Sequence, residues 1–118
     1  MKKRSEQDLV KACIQYLTMI GCDVWRQNQG ATKIGKRFVR FSHRKGISDI
    51  IGVAPGGLFI AVECKMPKGK ATPDQLKFLE SVRTHGGIGI LAYSVDDVSD
   101  VMGEVVTDTS KIDGTDSP

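Results

Sequence analysis

Asp49, Glu63 and Lys65 are charged residues at the ends of two otherwise apolar segments, SDIIGVA (48–54) and LFIAVECK (58–65), joined by Pro55-Gly56-Gly57. With that join as a three-residue hairpin loop, pairing is symmetric about Gly56: Ala54 faces Leu58, Gly52 faces Ile60 and Asp49 faces Glu63. Directly opposed residues in an antiparallel pair have Cβ atoms about 4.5–5.5 Å apart. Two carboxylates so placed repel each other and lose solvation, so a positive partner belongs between them. A divalent cation bound by oxygen ligands fits. A bulge or a two-residue loop would instead shift the register by one and part them. Glu63 and Lys65 are two apart on one strand and share a face, while Val62 and Cys64 turn to the other. A lysine beside a metal-bound carboxylate can hold an attacking water or offset charge growing on a phosphate oxygen. The set therefore suits metal-assisted phosphodiester hydrolysis. An isolated Glu-x-Lys is an ordinary surface ion pair; the paired hairpin, the flanking basic loops and the order of elements favour the chemistry.

The elements that must position these residues are legible in pattern. SEQDLVKACIQYLTMIG reads as an amphipathic helix with Ser5 as N-cap, Asp8 three residues on, and Leu9, Cys13, Leu17 and Ile20 at helical spacing. Gly21 is its stop. VWRQN (24–28) reads as a short strand, QGATKIG as a loop, and KRFVRF (36–41) as a strand with an exposed edge or face. After the hairpin, MPKGKA is a loop, and TPDQLKFLESVRTHGG is a helix with Thr72 as N-cap, Pro73 at N1, Gln75 completing a capping box and Gly86-Gly87 as terminator. IGILAYS reads as a buried strand and VDDVSDVM as a short helix. From Gly103 the composition turns Thr-, Ser- and Asp-rich, giving an expected division into a domain over 1–102 and an acidic, flexible tail over 103–118. The order α-β-β-β-β-α-β-α implies an α/β sandwich, a mixed sheet covered by the first and second helices. The strands at 58–65 and 88–93 should be parallel through a right-handed crossover.

Charge points to an anionic partner. Residues 1–93 carry sixteen Lys and Arg against seven Asp and Glu, whereas 94–118 carry one against seven. Lys33, Lys36, Arg37, Arg40, Arg44 and Lys45 lie in a stretch without a single acid, and Lys68 and Lys70 follow the Glu-Cys-Lys strand. Such groups offer nucleic-acid phosphates a salt-sensitive landing site. Arg26, Gln27, Asn28 and Gln29 add hydrogen-bonding groups, but no recognition-helix pattern is present, so backbone and shape are read, not sequence. The alternative is a solvated basic surface with a solubilising tail. His43, in a loop, is read as a phosphate contact or a bystander, and His85 as a helix-end residue near the dipole. Cys13, Cys22 and Cys64 are odd in number and form no CxxC pattern, which argues against a disulfide framework or a zinc site. No apolar run approaches the roughly 20 residues that cross a bilayer, and MKKRSEQDLV does not read as a secretory leader; a cytoplasmic protein is the expectation.

Asp49 followed by Glu63-Cys64-Lys65 after a short hairpin resembles the PD-(D/E)XK nuclease motif. The wider pattern is similar to the VRR-NUC family: a first helix carrying Glu6, the segment WRQNQG, then GISD, AVECK and a TPDQ helix start, over roughly residues 5–97. The resemblance implies a restriction-endonuclease-like core with Mg2+ or Mn2+ held by Asp49, Glu63 and the backbone carbonyl of Cys64. It makes Lys65 the catalytic lysine, adds Glu6 as a carboxylate near the metal, and gives Gln75 a polar contact in the site. Gln75 is otherwise accounted for by its capping box, and Glu6 by the acid preference of a first helical turn. Where the family has proline before the aspartate, this chain has Ser48, which touches the local backbone more than the ligand set. Stand-alone members of this kind are phage- or mobile-element-encoded, act in a bacterial host, and resemble Holliday-junction resolvases working as homodimers on branched DNA. The rival readings are a non-cleaving DNA-binding module of the same fold and a restriction-type duplex endonuclease.

Overall fold

The computed structural model describes residues 5–27, 31–34, 37–40 and 44–107, the segments 31–34 and 37–40 by their backbone alone. The elements in chain order are α1 (Glu6–Met19), β1 (Asp23–Arg26), β2 (Ala31–Ile34), β3 (Arg37–Arg40), β4 (Ile50–Ala54), β5 (Leu58–Cys64), α2 (Pro73–Thr84), β6 (Ile88–Ala92) and α3 (Val95–Thr107). Both expected capping boxes form. Ser5 and Asp8 satisfy each other's backbone N–H at 3.1 Å each, and Thr72 and Gln75 do the same at 3.2 and 2.8 Å.

The main sheet has the order β1-β4-β5-β6. β4 and β5 are antiparallel with Ala54 opposite Leu58, Gly52 opposite Ile60 and Ile50 opposite Val62, so the register expected from a three-residue loop holds. Gly56 and Gly57 turn that loop at φ of +87° and +82°, a region closed to most side chains. β5 and β6 are parallel, as the crossover through α2 requires.

Alternation along β5 divides the core in two. Ile60, Val62 and Cys64 face α1 and α3, packing with Leu9, Cys13, Leu17, Val98 and Met102. Ala61 faces α2 and packs with Phe78, Leu79 and Val82. Each large side chain fully buried here is worth about 1.5–3 kcal/mol relative to exposure. Cys13, Cys22 and Cys64 are free and buried. The neighbouring Cys13 thiol and burial push the Cys64 thiol well above its ordinary range, and burial alone raises Cys22, so both are protonated packing groups.

Four expectations need correction. Residues 31–34, expected within a loop, form β2, and the order gains a strand. Thr32 and Ile34 are β-branched and suit a strand, so the glycines at 30 and 35 bound an element instead of filling a loop. β3 pairs with β2 in a separate two-stranded sheet, not with the main one. Among the described residues three helices pack on the sheet: α1 and α3 share one face and α2 takes the other. α3 runs to Thr107, past Met102; residues 108–118 of the expected tail lie outside the described residues. No described helix is long and apolar enough to cross a membrane.

Candidate active site

The register that sets Ile50 opposite Val62 brings Asp49 and Glu63 together one step beyond the ladder. The Asp49 carboxylate accepts the Cys64 backbone N–H at 3.0 Å, taking the place of a ladder carbonyl. The Asp49 carbonyl accepts the Gln27 N–H at 2.7 Å, which prolongs the β1–β4 pairing to the same level. In an extended strand a residue's N–H and C=O turn to the same side, so the Cys64 carbonyl also faces the Asp49 edge.

Glu63 is buried to 1% exposure on the α2 face. Its Oε2 accepts the Gln75 Nε2–H at 3.2 Å and lies 3.5 Å from Lys65 Nζ, while Oε1 has no hydrogen-bond partner among the described residues. Burial, then the negative charge of the neighbouring Asp49, push the Glu63 carboxyl up to about 8, and Lys65 offsets only part of this. The structure thus holds two carboxylates in one place with less positive charge than they need.

Gln75 serves the cap and the site at once. Its carbonyl end accepts the Thr72 N–H at 2.8 Å while its amino end donates to Glu63. An amide has both functions to give, so the two readings open in the sequence are not exclusive.

The segment before Asp49 is pressed against the start of α2. Gly46 has φ of +80°, and a Cβ there would overlap the Asp74 carbonyl and crowd the Gln75 nitrogen. Ile47 packs into the α2 side of the core. Ser48 is fully buried and its hydroxyl has no partner among the described residues. The serine nonetheless leaves Asp49 in hydrogen-bonding place on Cys64.

Glu6 is exposed in the first turn of α1, and α1 packs on the face of the sheet opposite α2; among the described residues no three His, Cys, Asp or Glu side chains cluster closely enough to hold a metal. Acid preference in a first turn accounts for it locally.

Of the basic groups, Arg44 and Lys45 are exposed just before Gly46, and Lys68 and Lys70 are exposed in the loop after Lys65. That loop is fixed by a turn from Gly69 N–H to the Met66 carbonyl at 2.8 Å and by the Tyr93 hydroxyl on the Gly69 carbonyl at 3.2 Å. Lys33, Arg37 and Arg40 lie on β2 and β3, described by backbone alone; Lys36 and His43 lie outside the described residues. The His85 ring hydrogen-bonds the Ser81 carbonyl at 2.7 Å, a helix-end contact. Sequence reasoning missed Tyr93 as an anchor, because nothing local ties it to a loop 24 residues earlier.

The sequence profile of the family described as VRR-NUC domain matches residues 7–96. The chain belongs to the VRR-NUC family. Solved structures are similar to it over most of their length. One described as a VRR_NUC domain has a TM-score of 0.62 at 21% identity, covering 83% of this chain and 94% of its own. Another, a VRR_NUC domain protein, has 0.57 at 18% identity, covering 91% and 92%. At those identities the likeness is one of fold, and the fold is the restriction-endonuclease-like α/β core. No curated protein matches the chain. VRR-NUC is a nuclease family, and in this member Asp49, Glu63 and Lys65 lie at one end of β4 and β5.

Proposed function

We propose that this chain is a Mg2+- or Mn2+-dependent DNA endonuclease that hydrolyses phosphodiester bonds, prefers branched DNA such as four-way junctions, and works as a homodimer. The observation that carries the reading is the buried Glu63 carboxylate beside Asp49, with one oxygen on Lys65 and Gln75 and the other without a partner. An oxygen-rich, charge-deficient site of this kind fits a hard divalent cation. Asp49, Glu63 and the backbone carbonyl of Cys64 would hold it. Bound there, the ion supplies Lewis acidity and lowers the pKa of water.

The chain's own residues supply the rest. Lys65, 3.5 Å from Glu63 Oε2, orients a water or offsets charge on the scissile phosphate. Gln75 fixes the Glu63 carboxylate so that its second oxygen stays available. Arg44, Lys45, Lys68 and Lys70 receive the flanking phosphates. One such site cuts one strand, so symmetric cutting of a junction requires two chains; a light-scattering mass of a single chain at micromolar concentration would remove the dimer.

The test is cleavage of a labelled panel of duplex, flap, splayed arm and four-way junction in Mg2+, Mn2+ or EDTA, beside Lys65→Ala. Metal-dependent cutting that falls about 10²–10³-fold in the variant is expected. Intact DNA in every lane, with both proteins binding it equally, would leave a non-cleaving module. Cutting of plain duplex at one fixed sequence would displace the branched-DNA preference.

A further inference from the structure

The face of the sheet that carries Asp49 and Glu63 continues past α2 as an exposed apolar surface. α2 packs on β5 and β6, with Ile51 of β4 at the edge of its cluster. Trp25, Val53 and Phe59 stand there at 47%, 44% and 42% exposure. Their placement follows from register. Trp25 pairs with Ile51, which borders the α2 cluster, and Val53 pairs with Phe59, whose ring meets Phe78 edge-on at 6.5 Å.

The surface is continuous with the carboxylate row. Gln27 pairs at the level of Asp49, and Trp25 lies two residues back along β1, roughly 6.6 Å away along the strand. The indole Nε1–H reaches toward that row, donating to Gln27 Oε1 at 3.4 Å. On the far side of the patch the Arg44 guanidinium sits 5.1 Å over the Phe78 ring, beside Phe59. Exposed aromatic faces interleaved with cations are what single-stranded nucleic acid binds, bases on rings and phosphates on charges.

We infer that Trp25 is a base-stacking residue for an unpaired nucleotide next to the scissile phosphodiester, with Val53 and Phe59 extending the same floor. The inference rests on the nuclease reading and deepens it. A strand whose phosphate lies at Asp49 and Glu63 brings an adjacent base to Trp25, and only an unpaired base has a free face to stack. A fully paired duplex has none to offer. The substrate class is therefore DNA with bases opened beside the cut, and selectivity for structure comes in part from this indole.

Trp25 is the chain's single tryptophan, so intrinsic fluorescence reads this position. The experiment titrates the Lys65→Ala chain, in EDTA and again in Mg2+, with oligothymidylate, a blunt paired duplex, and the same duplex with a short single-stranded gap. Tryptophan emission is followed beside the anisotropy of a label on the DNA. Strong quenching by oligothymidylate and gapped DNA, with little change on the duplex, is expected. Trp25→Ala should weaken oligothymidylate binding about 5- to 150-fold, the factor for about 1–3 kcal/mol of stacking, and Trp25→Phe should restore most of it. DNA bound with silent emission, or equal quenching by the duplex, overturns the inference and leaves the nuclease standing. Emission that shifts with protein concentration alone means that a second copy covers the patch, and also overturns it. No binding of any DNA would remove the nuclease reading, and this one with it.

Discussion

Burial strips the Glu63 carboxylate of water and the Asp49 charge adds to the cost of ionising it, so the metal-free chain keeps its proton up to a pH of about 8. The sign of the resulting pH dependence follows. Below the ordinary carboxyl value of 4.5 both folded and unfolded chains carry the proton, and the contribution to stability is fully present. Between 4.5 and about 8 only the folded chain retains it, so stability falls as pH rises through that window. Each tenfold difference in proton affinity is worth about 1.4 kcal/mol. In EDTA the melting temperature should fall by several degrees from pH 5 to pH 8, measured against Glu63→Gln, which has no proton to lose. Added Mg2+ should raise the melting temperature of the unsubstituted chain at pH 8 and do little at pH 5 or in Glu63→Gln. Equal metal stabilisation of both proteins would take Glu63 out of the ligand set.

At the scale of elements, the site depends on the start of α2 being seated against the GISD segment. Gly46 combines a positive φ with direct contact against the Asp74 and Gln75 backbone, so a methyl there must displace α2, Asp49 or both. Gly46→Ala should cost about 1–3 kcal/mol in denaturant unfolding and reduce metal-dependent cutting together with it. The two partners of the α2 cap separate structure from chemistry. Thr72→Ala removes a cap worth about 0.5–2 kcal/mol and leaves the Gln75–Glu63 hydrogen bond; Gln75→Ala keeps the Thr72 hydroxyl on its backbone N–H and loses the reciprocal bond from the Thr72 N–H together with the bond to Glu63. Cutting normalised to folded protein should therefore fall more in Gln75→Ala than in Thr72→Ala, and equal loss would make Gln75 a cap residue only. Much of this arrangement was legible from residue types. Pro55-Gly56-Gly57 dictates the hairpin register, and with it the meeting of Asp49 and Glu63; Ser5-x-x-Asp8 and Thr72-x-x-Gln75 announce their helices. What was not legible depends on partners far along the chain. The place of Glu6 is decided by the sheet face on which α1 packs, and β2 was hidden because two glycines around a four-residue strand look like loop punctuation. Trp25 gave no signal of its exposure until the register of β1 put it on an uncovered face.

Taken whole, the molecule carries exposed cations in the two segments next to the carboxylates along the chain, Arg44 and Lys45 before Gly46, and Lys68 and Lys70 after β5, and exposes Trp25, Val53 and Phe59 on the sheet. Two kinds of binding then have separate signatures. Neutralising a phosphate releases counterions, so log K falls with log salt by about 0.9 for each contact on duplex and about 0.7 on single strands. Stacking releases no counterion and adds an amount that salt leaves alone. Replacing Lys45, Lys68 and Lys70 singly by Gln should each lower the salt slope for oligothymidylate by about 0.7, whereas Trp25→Ala should lower affinity at every salt concentration and keep the slope. The comparison is made by anisotropy across a salt series with the cleavage-deficient Lys65→Ala background. An unchanged slope in the three lysine variants would mean that the strand lies elsewhere, on the β2–β3 side. Parallel lines displaced only by Trp25→Ala would place the phosphates on these loops and the bases on the sheet, which is the path that brings one phosphodiester to Asp49, Glu63 and Lys65.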